Sequence, residues 1–433
     1  MHYILSTILV VCLLMEGAAV AGEQQAAPRL GPQTGLTLNE AITQALARNR
    51  DLAVARSEAS VSRGRLQQAR TYPYNPELIL EGEAGRGTGR ENFESGGSEK
   101  RDLWGGRVGI GQVVEVRGQR GLRTRLAEID TTRAEWEVRD TEREVIAATM
   151  RAFSDLLLAQ ERLALTREVV NLATQLKNTA HDLVQAGAVP ELDALRADVE
   201  RRRIANRLTL EEVSVSTAGR SLALLIGAGP DAPFRVTGLL LFEPVKGTME
   251  ELRESARANR PDLKAAENFV ESTAAALRLV RAERFLPSVT LSATYARGAE
   301  FDAYYDRGMV GLSIPLPLIN RREGDVTAAE ATVRKAEAQR ARTLAGVEKE
   351  VTTVFEQYEA ARRVVGEFAE RIVPAQEENV RLIYDGYRLG EFRLTDALLA
   401  ERDFFETRSA YLDAIAAYNR SVAEIYRATG LKP

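Results

Sequence analysis

The residues with chemistry to offer in this chain are carboxylates, set at recurring places. Asp193 and Asp396 each follow a glycine turn, at Gly187 and Gly390, with the same spacing and inside the same Asp-Ala-Leu triplet. An acid at that position can cap a helix or close a turn. Glu77, Glu81 and Glu83 alternate with Leu78, Leu80 and Ala84, so that three carboxylates share one face of a strand-like run. Lining an aqueous passage, they would favour cations; as surface charge, they would do nothing specific. Other chemistries are poorly supplied. Of the 2 histidines and 1 cysteine, His2 and Cys12 lie in the first few residues, leaving only His181 further on, and the methionines are scattered. No transition-metal cluster is visible. There is no phosphate-cradling glycine loop, nucleophile elbow or cofactor motif, so the chain does not read as an enzyme. With 58 basic against 62 acidic residues interleaved along the chain, nothing in the charge points to nucleic acid.

These acids must be positioned by a repeated scaffold. Leu52 to Pro76 aligns with Leu263 to Pro287 without a gap, and Asn49-Arg50-Asp51-Leu52 resembles Asn259-Arg260-Pro261-Asp262-Leu263. Val108-Gly109-Ile110-Gly111 pairs with Val310-Gly311-Leu312-Ser313. Gly187, Asp193-Ala194-Leu195 and Gly227 pair in one register with Gly390, Asp396-Ala397-Leu398 and Gly430. The chain therefore reads as a tandem duplication, 36–227 and 248–430, joined by a Gly/Pro-rich linker at 228–247. Each half has a short helix, two strands, a very long helix, a tight turn and a second long helix. The strands are expected at about 77–86, 103–116, 288–297 and 308–317, and the long helices at about 119–186, 191–226, 323–389 and 394–429. Neither Gly nor Pro occurs from Leu122 to Ala186, so one helix there can run about 65 residues, about 100 Å. Pro374 predicts a kink near Arg371 to Pro374.

Along the first long helix, Leu156, Leu163 and Val170 recur every seven residues, and so do Leu158, Leu165 and Leu172. Two positions apart is about 200° of rotation, which puts two apolar seams on nearly opposite sides. That suits a helix with a neighbour on each side, as in a tube wall, and equally an antiparallel bundle. The strands alternate apolar and polar residues over about 9–11 positions, the length a tilted strand needs to cross a bilayer. Tyr72, Tyr74, Phe93, Trp104, Phe285, Tyr304 and Tyr305 cluster near their ends, as interfacial girdles or ordinary loop packing. Four strands cannot seal a barrel, and an open edge in hydrocarbon leaves backbone groups unpaired. Several copies would have to complete one barrel.

At the N-terminus, Ile4 to Met15 forms an apolar run of signal-peptide length, followed by Ala19-Val20-Ala21 as a cleavage site. Residues 1–21 are expected to be a signal peptide and 22–35 an N-terminal extension. Val11 ahead of Cys12 argues against a lipid anchor on that cysteine.

With these features in hand, the sequence resembles the TolC outer-membrane efflux family, and most its CzcC/CusC heavy-metal branch. The carrying stretches are Leu36 to Asn49 (LTLNEAITQALARN), Tyr74 to Glu81 (YNPELILE), Gln112 to Arg123 (QVVEVRGQRGLR), and Tyr387-Arg388-Leu389-Gly390 through Asp396-Ala397-Leu398-Leu399. The resemblance implies a mainly α fold with membrane β: a homotrimer in the outer membrane of a Gram-negative cell, each subunit giving four strands to a twelve-stranded barrel and its helices to a periplasmic tunnel. It implies a periplasmic adaptor and an inner-membrane pump, often of the resistance-nodulation-division type, as partners. The tips Ala186-Gly187-Ala188 and Leu389-Gly390-Glu391 match the family's adaptor-docking turns, and Asp396 matches an aspartate that constricts the periplasmic entrance. Leu399 stands where some relatives carry a second acid. Multidrug and protein-secretion ducts of the same family stay open as alternatives, and so does a periplasmic coiled-coil scaffold.

Overall fold

The computed structural model describes residues 35–90, 98–229, 235–284, 288–300 and 303–432. The chain divides into two units, Met1–Gly35 and Leu36–Pro433, and every element named here belongs to the second. The expected signal peptide at 1–21, the extension up to residue 34, and the aromatic residues Phe93 and Phe285 lie outside the described residues.

The first half runs α1 Leu38–Arg48, α2 Arg50–Arg70, β1 Glu77–Arg90, β2 Ser98–Val114, α3 Gln119–Gln185 and α4 Glu191–Leu225. The second runs α5 Met249–Asn259, α6 Pro261–Glu283, β3 Val289–Glu300, β4 Ala303–Ser313 and α7 Glu323–Glu367. A π-helical turn at Phe368–Ile372 then leads into α8 Val373–Leu389 and α9 Leu394–Thr429. The halves start with the same device. Thr37 and Glu40 form a capping box on α1, and Thr248 and Glu251 form one on α5, each pair satisfying two backbone N–H groups at the helix start.

The repeated glycines have positional reasons. Gly187, Gly227, Gly390 and Gly430 all take left-handed φ values past helix ends, where a Cβ would be strained. Gly227 also lies so close to α1 that a Cβ would sit 2.7 Å from the carbonyl oxygen of Arg48; at Gly430 the same probe meets Asn259 at 3.3 Å. Each long hairpin thus returns to the helix junction that opens its own half.

Helix α3 spans 67 residues, about 100 Å, and organises the unit. It packs against α2 and α6 along one part of its length and against α4 and α9 along the rest. Both expected seams are deep only in its middle, where Leu156 and Leu158 are buried. Further on, the buried line is Leu165, Val169, Ala173, Leu176 and Ala180, while Leu163, Val170 and Leu172 are half-buried. A straight helix drifts about 20° per heptad against a seven-residue repeat, so a fixed heptad pair cannot stay centred on one neighbour.

At mid-length the linker crosses the helices. Asn419 of α9 is fully buried and accepts the Phe242 N–H at 2.9 Å. Its amide donates to the carbonyl of Leu240 at 2.8 Å and to the Ser154 hydroxyl at 2.9 Å. One side chain therefore satisfies two linker backbone groups and ties α3 to α9.

Each half opens with two helices, α1–α2 and α5–α6, where the sequence pattern predicts one short helix. All four strands also differ from their expected bounds: β1 runs to Arg90 rather than 86 and β3 to Glu300 rather than 297. Alternation at 308–317 predicts a strand reaching Leu316; β4 starts earlier, at Ala303, and stops at Ser313, because Pro315 and Pro317 bring no N–H to a ladder. Likewise β2 ends at Val114, short of Val116. The irregularity expected at Arg371 to Pro374 takes the form of the π-turn, in which the Val373 N–H reaches back to the Phe368 carbonyl just before Pro374. Among the described residues no helix is long and apolar enough to cross a membrane.

Replacing Asn419 with Ala would strand the Phe242 N–H and the Leu240 carbonyl in the core. We expect a loss of about 3 kcal/mol, read as a lowered unfolding midpoint of the detergent-solubilised protein.

Candidate functional site

Two places in the structure could do the work of a conduit: the sheet and the hairpin tips. The sheet is antiparallel in the order β1-β2-β3-β4, with β2 paired to β3 across the two halves. Its register stacks Leu80 beside Val108, Val108 beside Tyr295, and Ala293 beside Val310. One face therefore carries Leu78, Leu80, Val108, Ile110, Leu291, Val310 and Leu312, all exposed, with Val310 at 90%. Trp104 and Tyr304 meet edge-on at 6.4 Å toward one end of that face.

The opposite face is polar and concave. On β3 the apolar-face residues Leu291, Ala293 and Tyr295 are exposed, whereas Ser292 and Thr294 between them are half-buried and Ala296 is buried. Curling this tightly crowds the inner face, and glycine relieves it. A Cβ on Gly109 would lie 2.6 Å from the Ala293 carbonyl oxygen, and one on Gly298 2.6 Å from that of Trp104. Among the described strands, the outer edges of β1 and β4 have no partner.

Glu77, Glu81 and Glu83 all lie on the concave face, together as expected, but they do not form a bare acidic strip. Arg107 and Arg307 share that face by register. Glu81 pairs with Arg107 at 3.0 Å, and Glu83 accepts from the Tyr305 hydroxyl at 3.2 Å.

The hairpin tips are alike. Past α3, the Ala188 N–H bonds to the Leu183 carbonyl at 2.9 Å and Gly187 N–H to Val184 at 3.0 Å; past α8, Glu391 bonds to Gly386 at 2.8 Å and Gly390 to Tyr387 at 3.1 Å. Both are Schellman closures, with glycine at the left-handed position. Ala186, Gly187, Ala188, Leu389, Gly390 and Glu391 are all exposed. Behind the tips one apolar cluster joins the two hairpins: Leu176, Ala180, Ala197, Tyr387, Leu394 and Ala397.

The two aspartates differ in use. Asp396 is half-buried and accepts the Arg393 N–H at 2.9 Å, closing the start of α9. Asp193 is half-buried, 3.8 Å from Arg196, and its charge reaches across to Tyr387 of the other hairpin. Burial first, and Asp193 second, push the Tyr387 phenol above its ordinary range.

Sequence reasoning missed a third acid. Glu401 of α9 is only 1% exposed and accepts the Tyr384 hydroxyl of α8 at 2.7 Å. Burial pushes its carboxyl up to about 7, with a further push from Glu200 and an opposing pull from the Tyr384 bond. The signal was present: Leu394, Ala397, Glu401 and Phe404 keep a three-four spacing, so an acid occupies a position of the buried seam.

Comparison with known proteins places this geometry. The family model described as "outer membrane efflux protein" matches residues 41–228 and 252–431. The cobalt-zinc-cadmium resistance protein CzcC of Cupriavidus metallidurans is 24% identical over 397 residues, 91% of this chain and 90% of that protein. Among solved structures, the outer-membrane channel OprN superposes with a TM-score of 0.74 at 22% identity, covering 91% of this chain and 90% of that one. CusC, whose structures concern transmembrane channel formation, superposes at 0.73 with 17% identity, over 92% and 95%.

The cap at Asp396 separates hydrogen bonding from charge. Asp396→Ala should cost about 1 kcal/mol and speed hydrogen exchange in the first turn of α9, whereas Asp396→Asn, which keeps an acceptor, should leave that turn protected.

Proposed function

Because the chain belongs to the outer membrane efflux protein family, and so is an outer-membrane channel protein of the TolC type, we propose that it is the exit duct of a tripartite efflux system for heavy-metal cations. The observation that carries this reading is the curled four-stranded sheet, apolar on its convex face, polar on its concave face and unpaired at both edges. Three copies joined edge to edge would give twelve strands, enough to close around an aqueous passage, and leave no backbone group unpaired in lipid. The Leu78, Leu80, Ile110, Val310 and Leu312 face then meets lipid, with Trp104 and Tyr304 at an interface. Glu81, Arg107, Glu83 and Tyr305 face the lumen.

Below the barrel, the α3–α4 and α8–α9 hairpins extend into the periplasm. Their exposed glycine tips are the surfaces offered to a periplasmic adaptor, through which an inner-membrane pump, of the resistance-nodulation-division type, delivers cargo. Threefold symmetry would gather three copies each of Asp193 and Asp396 near the entrance and favour cations there. Metal cargo is supported by the likeness to the cobalt-zinc-cadmium resistance protein along nearly the whole chain. A duct need not hold its cargo tightly, so this reading asks for no transition-metal site in the wall.

Two measurements test this reading. A deletion strain should become sensitive to zinc, cobalt or cadmium and be rescued by the intact gene; sensitivity to organic compounds alone would move the cargo to that class. The purified trimer should conduct in planar bilayers with a preference for cations. Asp396→Asn, which spares the cap, should reduce that preference about twofold. An unchanged preference would remove Asp396 from the pore. A protein that washes off membranes and conducts nothing would remove the duct.

A further inference from the structure

Glu401 has no evident place in a passive duct. Its side chain is buried on the α9 seam that Leu394, Ala397 and Phe404 also occupy, and one oxygen, Oε1, is buried with no hydrogen-bond partner among the described residues. The other accepts from Tyr384, a second polar link between α8 and α9 beside the Arg408–Glu377 pair at 3.0 Å. Glu401 also borders a cavity of about 140 Å³ that separates α9 from α4 of the first hairpin.

The groups facing it make the arrangement sensitive to a proton. Across the cavity α4 presents Glu200, Arg203 and Arg207; α9 itself adds Arg402 and Glu406; α3 contributes apolar Val169. Each arginine is engaged elsewhere. Arg203 pairs with Glu200 at 3.3 Å, Arg402 with Glu406 at 2.8 Å, and Arg207 lies over the Phe405 ring at 4.2 Å and 3.9 Å from Glu211. Among the described residues no arginine is paired with Glu401, and Glu200 opposite it repels it when charged.

We propose that Glu401 is a proton-operated latch, which lets α9 pack against α4 of the first hairpin when Glu401 is neutral and loosens that packing when it is ionised, with the Tyr384 bond setting the balance by favouring the ionised form. The neutral acid can stay buried at modest cost. The ionised acid faces Glu200 across a small cavity whose arginines, Arg203, Arg207 and Arg402, contact other groups, so relief comes from parting α9 from α4 and admitting water. In the duct read above, on which this inference rests, the loosened segment adjoins the periplasmic entrance, and periplasmic acidity would favour the closed packing.

The direction follows from linkage. Exposed, Glu401 would titrate near its ordinary 4.5; in the packed seam it titrates at about 7. The closed packing therefore has its full stability below about pH 4.5, loses it as pH rises to about 7, and gains nothing back above that. Over that window the closed-to-open ratio should fall by up to tenfold per pH unit.

The test uses the intact trimer in detergent or lipid. Hydrogen exchange of α8 and α9 near Glu401, corrected for intrinsic exchange, should speed up between about pH 5 and 7. Single-channel opening should rise over the same range. In Glu401→Gln both should lose their pH dependence and remain at the low-pH level. Tyr384→Phe removes the bond that favours the ionised form, so the midpoint should move to higher pH. An infrared band of a protonated carboxyl, absent in Glu401→Gln, should disappear with the wild-type midpoint. If Glu401→Gln is too unstable to assemble, Tyr384→Phe and the infrared titration carry the test. A wild-type pH profile retained in Glu401→Gln overturns the latch, as does a midpoint unmoved in Tyr384→Phe. Conductance at one fixed pH reports on the duct itself, so a conducting trimer without the pH response would refute only the latch.

Discussion

Backbone N–H and C=O groups at a sheet edge need partners, and hydrocarbon supplies none. In this chain that requirement falls on β1 and β4, whose outer edges are unpaired among the described strands although the sheet is already curled and its convex face already apolar. Curl and polarity agree: the shielded residues on β3 are the polar ones, the exposed residues apolar, the reverse of a water-soluble sheet packed on a core. The described strands are therefore incomplete by their own hydrogen bonding, and the completion proposed above is a further copy on each edge. Much else follows from serving that geometry. The two halves must each deliver a strand pair to the same sheet, and they do so side by side, β2 against β3.

The helices answer a related constraint at another scale. An α3 of 67 residues cannot be a core helix of a globular domain; it has to be flanked along its length. Its flanks change from α2 and α6 to α4 and α9, and the change falls where the linker crosses and Asn419 gathers the backbone groups of Leu240 and Phe242. That junction is the one place where α3 is buried almost all round, through Ala152, Phe153, Leu156, Leu157, Leu158 and Ala159. Away from it, exposed apolar side chains run along α4, including Leu195, Val199, Leu210 and Val213. They are the helical counterpart of the open strand edges.

Much of this was legible in the sequence because it rests on local rules. The glycines at 187, 227, 390 and 430 are helix-ending signals with fixed offsets, and duplication let each be read twice, whereas the capping boxes at Thr37 and Thr248, equally local, were passed over. Period-two alternation placed β1 and β3 and set the three glutamates on one face. Long-range pairing was not legible. Nothing local to Glu81 announces that Arg107 lies opposite it, nor that Tyr305 of the second half reaches Glu83 of the first. The end of β4 was misread because alternation continues through Pro315 and Pro317, where side-chain pattern and hydrogen-bonding capacity disagree, and capacity decides. At the tips, the repeated aspartates looked equivalent, yet Asp396 closes its own helix while Asp193 reaches toward Tyr387, a contact between elements far apart in sequence.

The two hairpins of the chain begin as copies and differ where a passive wall would gain nothing from differing. The first is α3, unbroken, turning into α4. The second is interrupted by a π-turn ahead of Pro374 and carries Glu401 on the seam that Leu394, Ala397 and Phe404 otherwise make apolar. In the first hairpin the corresponding acid, Asp198, is met by Arg201 at 3.2 Å and by Arg202 at 2.7 Å on its own helix. Glu401 is given a hydroxyl, a cavity and a repelling carboxylate instead. A buried acid without a counter-charge weakens packing that an aliphatic residue would strengthen, so stability does not account for its presence there. What such a group adds is a packing strength that depends on the proton concentration outside. It sits in the hairpin whose own backbone already departs from a straight helix, so both departures from the duplicated pattern fall on the same arm of the subunit.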